Sequence, residues 1–223
     1  MKITAMALAV FVMSQGAWAE PYPDLDPKGV LVKQQTAEGA KYSIDQVYLD
    51  EMLKALAVHA KAYPVRFDNE ADKRKAIQDV LVLDGMLSVI NDAPHQDLAM
   101  VLRQAQLNSM GHNLDMAGAA EKADQLFQSL LAVAPDNALF NYDYALFLAG
   151  SGQGAKAIPL LHKAADAKLY DAYFSLGLVY LSVGNQDAAI ENLNTYKRLT
   201  GRHAEADKFI AAIESGQVKV NAH

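Results

Sequence analysis

The sequence predicts an all-α protein built largely from stacked antiparallel helix pairs. Three observations carry that expectation. From Tyr42 to Gln217 apolar residues recur at three- and four-residue intervals, and no strand-length alternation appears. Between 104 and about 201, three segments repeat one pattern of large and small residues at shifts of 34 and then 32 residues. A glycine stands at the same place in each, where one helix must turn into the next.

Taken in order, Met1 and Lys2 make a short basic start, the run from Ile3 to Met13 carries no charge, and Ala17-Trp18-Ala19 ends the stretch on small residues. These are the three parts of a secretory signal peptide, so residues 1–19 are expected to be removed between Ala19 and Glu20. The expected location is the periplasm or the exterior. Pro21-Tyr22-Pro23 supports extended chain at that junction. The apolar run is too short for a membrane span of about 20 residues. The chain has no cysteine, which excludes a cysteine-linked lipid anchor. Its net charge of -6 argues against nucleic acid or an anionic membrane as partner.

Residues 20–41 read as an extended lead-in, with PYPDLDPKG rich in turn formers and VLVKQQTAEG suited to a loose turn or a short strand. A helical hairpin is expected over 42–92. Ser43-Ile44-Asp45-Gln46 forms a capping box, followed by Ile44, Val47, Tyr48, Met52, Leu56 and Ala60 on one helical face. Pro64 stops that helix. A second helix is expected from Glu70 to Asn91, with Ile77, Leu81, Leu87 and Ile90 as its apolar stripe and Val80 and Leu83 beside it. Asp92, Ala93 and Pro94 break the chain, and Pro94 can open the next helix.

The repeats occupy 94–201. The first copy holds Leu107, Met110, Gly111, Leu114, Gly118, Ala123, Phe127, Leu130 and Pro135. The second holds Asn141, Tyr144, Ala145, Leu148, Gly152, Ala157, Leu161 and Ala164. The third holds Tyr173, Leu176, Gly177, Tyr180, Gly184, Ala189, Leu193 and Tyr196. Antiparallel helices touch along their length only where small side chains let the backbones cross. Gly111, Ala145 and Gly177 serve the first helices in this way, and Ala123, Ala157 and Ala189 serve the second. One such pair cannot bury its apolar face alone, so neighbours must stack.

These slots resemble the tetratricopeptide repeat family, and the 32-residue copy also looks like the related Sel1-like repeats. The resemblance implies a right-handed superhelical array, a TPR-like α-solenoid. It also implies an interaction module of the cell envelope, such as an adaptor, an assembly factor or a chaperone-like holder. Asn141 departs from the family pattern, which prefers a large residue there, and Tyr144 stands in a leucine slot. Pro159 is expected to kink or shift its helix. A terminal helix over 203–216, with Ala206, Phe209, Ile210 and Ile213 inward, should cap the array. With the 42–92 pair at the other end, about nine helices would share one continuous core.

Chemical motifs are sparse. Gly150-Ser151-Gly152-Gln153-Gly154-Ala155-Lys156 lacks the phosphate-loop spacing and fills a repeat turn. None of the six histidines stands at ligand spacing, and no serine lies in a GxSxG turn. No catalytic residue, metal or cofactor is expected. The alternative, a helical envelope enzyme, would require a pocket where titratable groups converge. The family's architecture instead implies a protein or peptide partner held along the first helices. Carried onto this chain, the partner-binding positions are Asn108, His112 and Asp115, then Tyr142 and Leu146, then Phe174 and Leu178. Phe174 and Leu178, four residues apart, share a helical face and read as an apolar pair left over once the core is filled.

Overall fold

The computed structural model describes residues 20–37, 39–92 and 97–217. Among them are nine α-helices, one two-stranded sheet and one 3-10 turn, Pro27–Val30. The chain is predominantly α-helical, with antiparallel helix pairs stacked in the manner of a TPR-like solenoid. It divides after Leu126 into two compact units.

The first unit opens with a strap, residues 20–30, and a β-hairpin, β1 (Leu31–Thr36) and β2 (Gly39–Ile44). The strands are antiparallel, with Leu31 opposite Ile44 and Thr36 opposite Gly39. The sequence allows one short strand here, and the second is formed by residues expected to start a helix. Ser43 is therefore a strand residue and not a cap. The cap of α1 (Gln46–Ala60) is Asp45, whose carboxylate accepts the Tyr48 amide at 3.0 Å. This moves the buried face of α1 to Leu49, Met52, Leu53, Leu56 and Ala60, and leaves Val47 exposed.

Helix α2 (Glu70–Asn91) is capped by Asn69, which accepts the Asp72 amide at 2.9 Å. Its core residues are Ala76, Val80, Leu83 and Leu87, while Leu81 points to solvent. Helix α3 (Leu98–Asn113) starts at the Asp97 cap and packs on both α1 and α2. Pro94 lies outside the described residues. Arg103 on α3 grips Asp50 on α1 through two bonds, Nε to Oδ1 at 2.7 Å and Nη2 to Oδ2 at 3.0 Å. Helix α4 (Ala119–Val133) begins against α3, where a Cβ on Gly111 would stand 3.2 Å from that of Ala119.

In the second unit α5 (Ala138–Gly150) pairs with α6 (Gly154–Asp166), and α7 (Asp171–Ser182) pairs with α8 (Gln186–Thr200). Helix α9 (Ala204–Glu214) packs on α8, and Ala206 and Ile213 are buried there with Leu181, Leu193 and Tyr196. Helix α6 runs unbroken through Pro159. That residue is exposed, so the carbonyl deprived of its amide partner can be met by water. Gly152 and Gly184, in the α5–α6 and α7–α8 turns, have φ of 75° and 84°, where a side chain would be strained.

Candidate protein-binding surface

On α3, Asn108 is buried and its amide is already engaged. Nδ2 donates to the Asp84 carboxylate at 2.7 Å and to the Gln104 carbonyl at 2.9 Å. Asp84 also accepts from Gln104 Nε2 at 3.0 Å and from Lys122 Nζ at 2.7 Å. Ser88 Oγ takes a further bond from each of those donors. Burial alone would raise the Asp84 pKa, but bonds from Lys122, Asn108 and Gln104, with the Lys122 charge, hold it below the usual range. The network ties α2 to α3 and to the first turn of α4. Beside it lies a cavity of about 160 Å³, walled by Val80, Leu81, Met116 and Ala119 as well as Asp84 and Lys122.

His112 is half-buried in the last turn of α3 and has an interaction of its own. Asp115 is exposed with φ 63° and shapes the turn before α4. An acidic side chain is among the few tolerated in that left-handed conformation. Asn108 and Asp115 thus do structural work that spacing does not reveal.

In the second unit, Tyr142 is half-buried on α5, and its hydroxyl accepts a bond from Ser175 on α7 at 3.3 Å. Burial raises its pKa, the Ser175 bond opposes this, and Asp171, Asp143 and Tyr196 add to the rise. Leu146 and Leu178 are partly exposed on the same two helices. Phe174 is packed. Its ring lies 5.2 Å from that of Tyr196 and 5.7 Å from that of Phe209, within the terminal cluster. Leu139, not singled out from the sequence, is 46% exposed on α5. It stands three residues before Tyr142 and seven before Leu146, so one face carries all three. That spacing was present in the sequence, but the repeat slots drew attention to positions after Asn141.

Asn141 explains its own departure from the repeat pattern. It is fully buried, and Nδ2 donates to the carbonyls of Pro135 at 2.8 Å and Asn137 at 2.9 Å. The slot that elsewhere takes a large packing residue here ties the α4–α5 turn. Among the described residues, Oδ1 of Asn141 has no hydrogen-bond partner.

Among the described residues no group of three or more His, Asp and Glu side chains could hold a metal ion. The titratable groups at the cavity, Asp84 and Lys122, are bonded to each other. No described helix is long and apolar enough to cross a membrane.

No family model matches the chain, and no curated protein matches it. Solved structures do. The crystal structure of MamA superposes with a TM-score of 0.53 at 20% identity, over 67% of this chain and 85% of that one. A second, MamA MSR-1 C2, gives 0.51 at 22% identity, over 78% of this chain and 88% of that one. The chain has a TPR-like helix-repeat fold related to that of MamA. At this identity the likeness concerns the fold. The expected export to the periplasm or exterior is not supported by these structures. Residues 1–19 lie outside the described residues.

Proposed function

We propose that this protein is a protein–protein interaction module, an adaptor or assembly factor that holds a segment of its partner along the first helices of its repeats. The observation that carries this reading is the α5 face of Leu139, Tyr142 and Leu146, which stays partly exposed after the helix pairs have filled their core. Leu178 on α7 extends it, because Ser175, three residues earlier, is bonded to Tyr142. Apolar and aromatic groups gathered on one face are the usual anchors of a protein interface. Phe174 supports this surface from within by fixing α7 against α8 and α9. Of the positions expected at the first repeat, Asn108 is buried and Asp115 lies in the turn after α3, so His112, half-buried, is the better placed to reach a partner.

The test is site-specific photo-crosslinking from positions 139 and 146, with position 163 on α6 as control. A discrete crosslinked partner is expected from the first two. It should disappear from the crosslinker at position 139 when Leu146→Glu is introduced, with the helical signal unchanged. Equal crosslinking from position 163, or a partner that tolerates L146E, would remove this face as the binding surface.

A further inference from the structure

Helices α1 and α2 already hold an extended peptide, the chain's own strap. Tyr22 sits between two prolines in a segment with no regular structure, yet it is only 7% exposed. Its ring meets His59 edge-on at 5.4 Å and Phe67 at 6.1 Å, and Lys75 Nζ lies 5.4 Å from its centroid. The hydroxyl donates to Asp79 on α2 at 3.0 Å. Lys75 donates to the same carboxylate at 2.9 Å and to the Leu25 carbonyl at 2.7 Å, and the Tyr22 amide donates to Asp72 at 3.3 Å. Leu25 and Val30 follow into the same core.

The receptor side has the character of a built site. Asp79 is 3% exposed on a helix whose nearest other buried positions, Ala76, Val80 and Leu83, are apolar. A carboxylate there is costly unless it is answered by donors. One of its donors is the phenol, a bond that phenylalanine could not make. Burial, the Asp79 charge and the hydrogen bond to it all push the Tyr22 phenol above its ordinary range, so it stays a donor. The strap carries Glu20, Asp24 and Asp26 with Lys28, and the start of α2 carries Lys73, Arg74 and Lys75 with Glu70 and Asp72; Asp24 lies 4.0 Å from Lys75.

We propose that the α1–α2 face is a tyrosine-reading peptide site, filled in cis by the strap, for which an acidic, extended, tyrosine-bearing segment of a partner protein competes. All the recognition groups belong to α1, α2 and the loop between them, and the strap supplies only ligand groups. The strap joins α1 through a hairpin whose first strand is exposed at every position, and its departure leaves α1 and α2 each packed on α3. Departure without replacement would bare the core around Val30, which makes exchange the mode of binding. A phosphorylated tyrosine would set its charge against Asp79 and be refused. This site is separate from the α5–α7 face, and neither depends on the other.

Full-chain variants at positions 22 and 79 test it. Tyr22→Ala opens the pocket, so p-cresol should raise its melting temperature by several degrees and toluene by less than half as much. Neither should move the wild type. Tyr22→Phe keeps the packing and loses the hydroxyl bond. A fluorescent peptide of residues 20–30 should bind it at least ten-fold more tightly than it binds wild type. The same peptide with phosphotyrosine, or with phenylalanine in place of tyrosine, should lose at least ten-fold; Asp79→Asn should relax the discrimination against phosphotyrosine, and Asp79→Leu that against phenylalanine. Equal binding of the three peptides to Y22F, or equal affinity of the tyrosine peptide for Y22F and wild type, would overturn the proposal. The peptide measurements decide the matter even if Y22A does not fold.

Discussion

Replacing Gly177 by alanine should destabilise the protein, although alanine is the better helix former. The helical gain is about 1 kcal/mol, since glycine in a helix interior costs roughly that much. Against it stands space. A Cβ at this position would lie 2.7 Å from Leu193 Cγ, 2.9 Å from Leu193 Cδ2 and 3.2 Å from the Ala189 carbonyl oxygen. The carbonyl belongs to the backbone of α8 and cannot turn aside, and Leu193 is fully buried with little room to change rotamer. Helices α7 and α8 must therefore move apart, at an overpacking cost of about 1–3 kcal/mol. Gly85 on α2 supplies the control, because an added Cβ there meets nothing within 4 Å. Gly85→Ala should thus show the helical gain alone, about 0.5–1 kcal/mol. Denaturant unfolding of both variants reads the two signs directly. If G177A stabilises the chain as much as G85A does, the close crossing of α7 and α8 is not what keeps this position small. Gly177→Leu should be worse than alanine, since the added carbons enter the same occupied volume.

Three further outcomes follow from named contacts. Asp84→Asn should lower stability at neutral pH by about 1–3 kcal/mol, as Lys122 loses its carboxylate in a half-buried site. The same variant should flatten the acid limb. A folded-state pKa below the unfolded value means the stabilisation is present above about pH 4 and is lost as pH falls through the folded value. Denaturant midpoints from pH 7 to 3 check this, and Asp50, lowered chiefly by the Arg103 hydrogen bond, should leave part of the slope in D84N. Asn141→Ala should cost about 1–3 kcal/mol by removing the amide donor from the Pro135 carbonyl, and a thermal melt within a degree of wild type would contradict that role.

Much of the helical order was legible because period and punctuation agree along most of the chain. The span Glu70–Asn91 follows from a capping asparagine and an unbroken apolar pattern, and Ala206 and Ile213 face inward on α9 as their spacing predicts. The misassigned faces have local causes. Val47 and Leu81 are apolar and lie at plausible spacing, but the strap and α3 approach from other sides, and burial depends on what arrives. The hairpin was hidden because Lys33, Gln34 and Gln35 carry no alternation to betray a strand exposed at every position. Of the surface positions, Tyr142, Leu146 and Phe174 are all half-buried, and Phe174 differs in its ring partners: α9 places Phe209 against it, and no repeat slot anticipates a contact from the capping helix.

Departures from the repeat pattern are where this chain has added its own constraints. A large side chain in the slot of Asn141 would pack, but it could not hold the Pro135 carbonyl. The amide gives up apolar burial, and an acceptor left without a partner, in exchange for a fixed turn. Asp84 and Lys122 follow the same logic at the first pair, where α2 is joined to α3 and α4 by directed bonds as well as apolar contact. Directed bonds fix register more sharply than apolar contact does, because a shift of one residue leaves donors and acceptors unmet. The strap extends this to the first described residues, with Tyr22 and Asp79 setting which segment may lie on α2. Substitutions that replace these groups with larger apolar ones should therefore loosen register before they lower stability. Hydrogen exchange of the Asn137–Asn141 turn in N141L is the measurement that separates the two. Faster exchange there, with an unchanged melting temperature, is the expected result. Unchanged exchange would mean that apolar packing alone sets the turn.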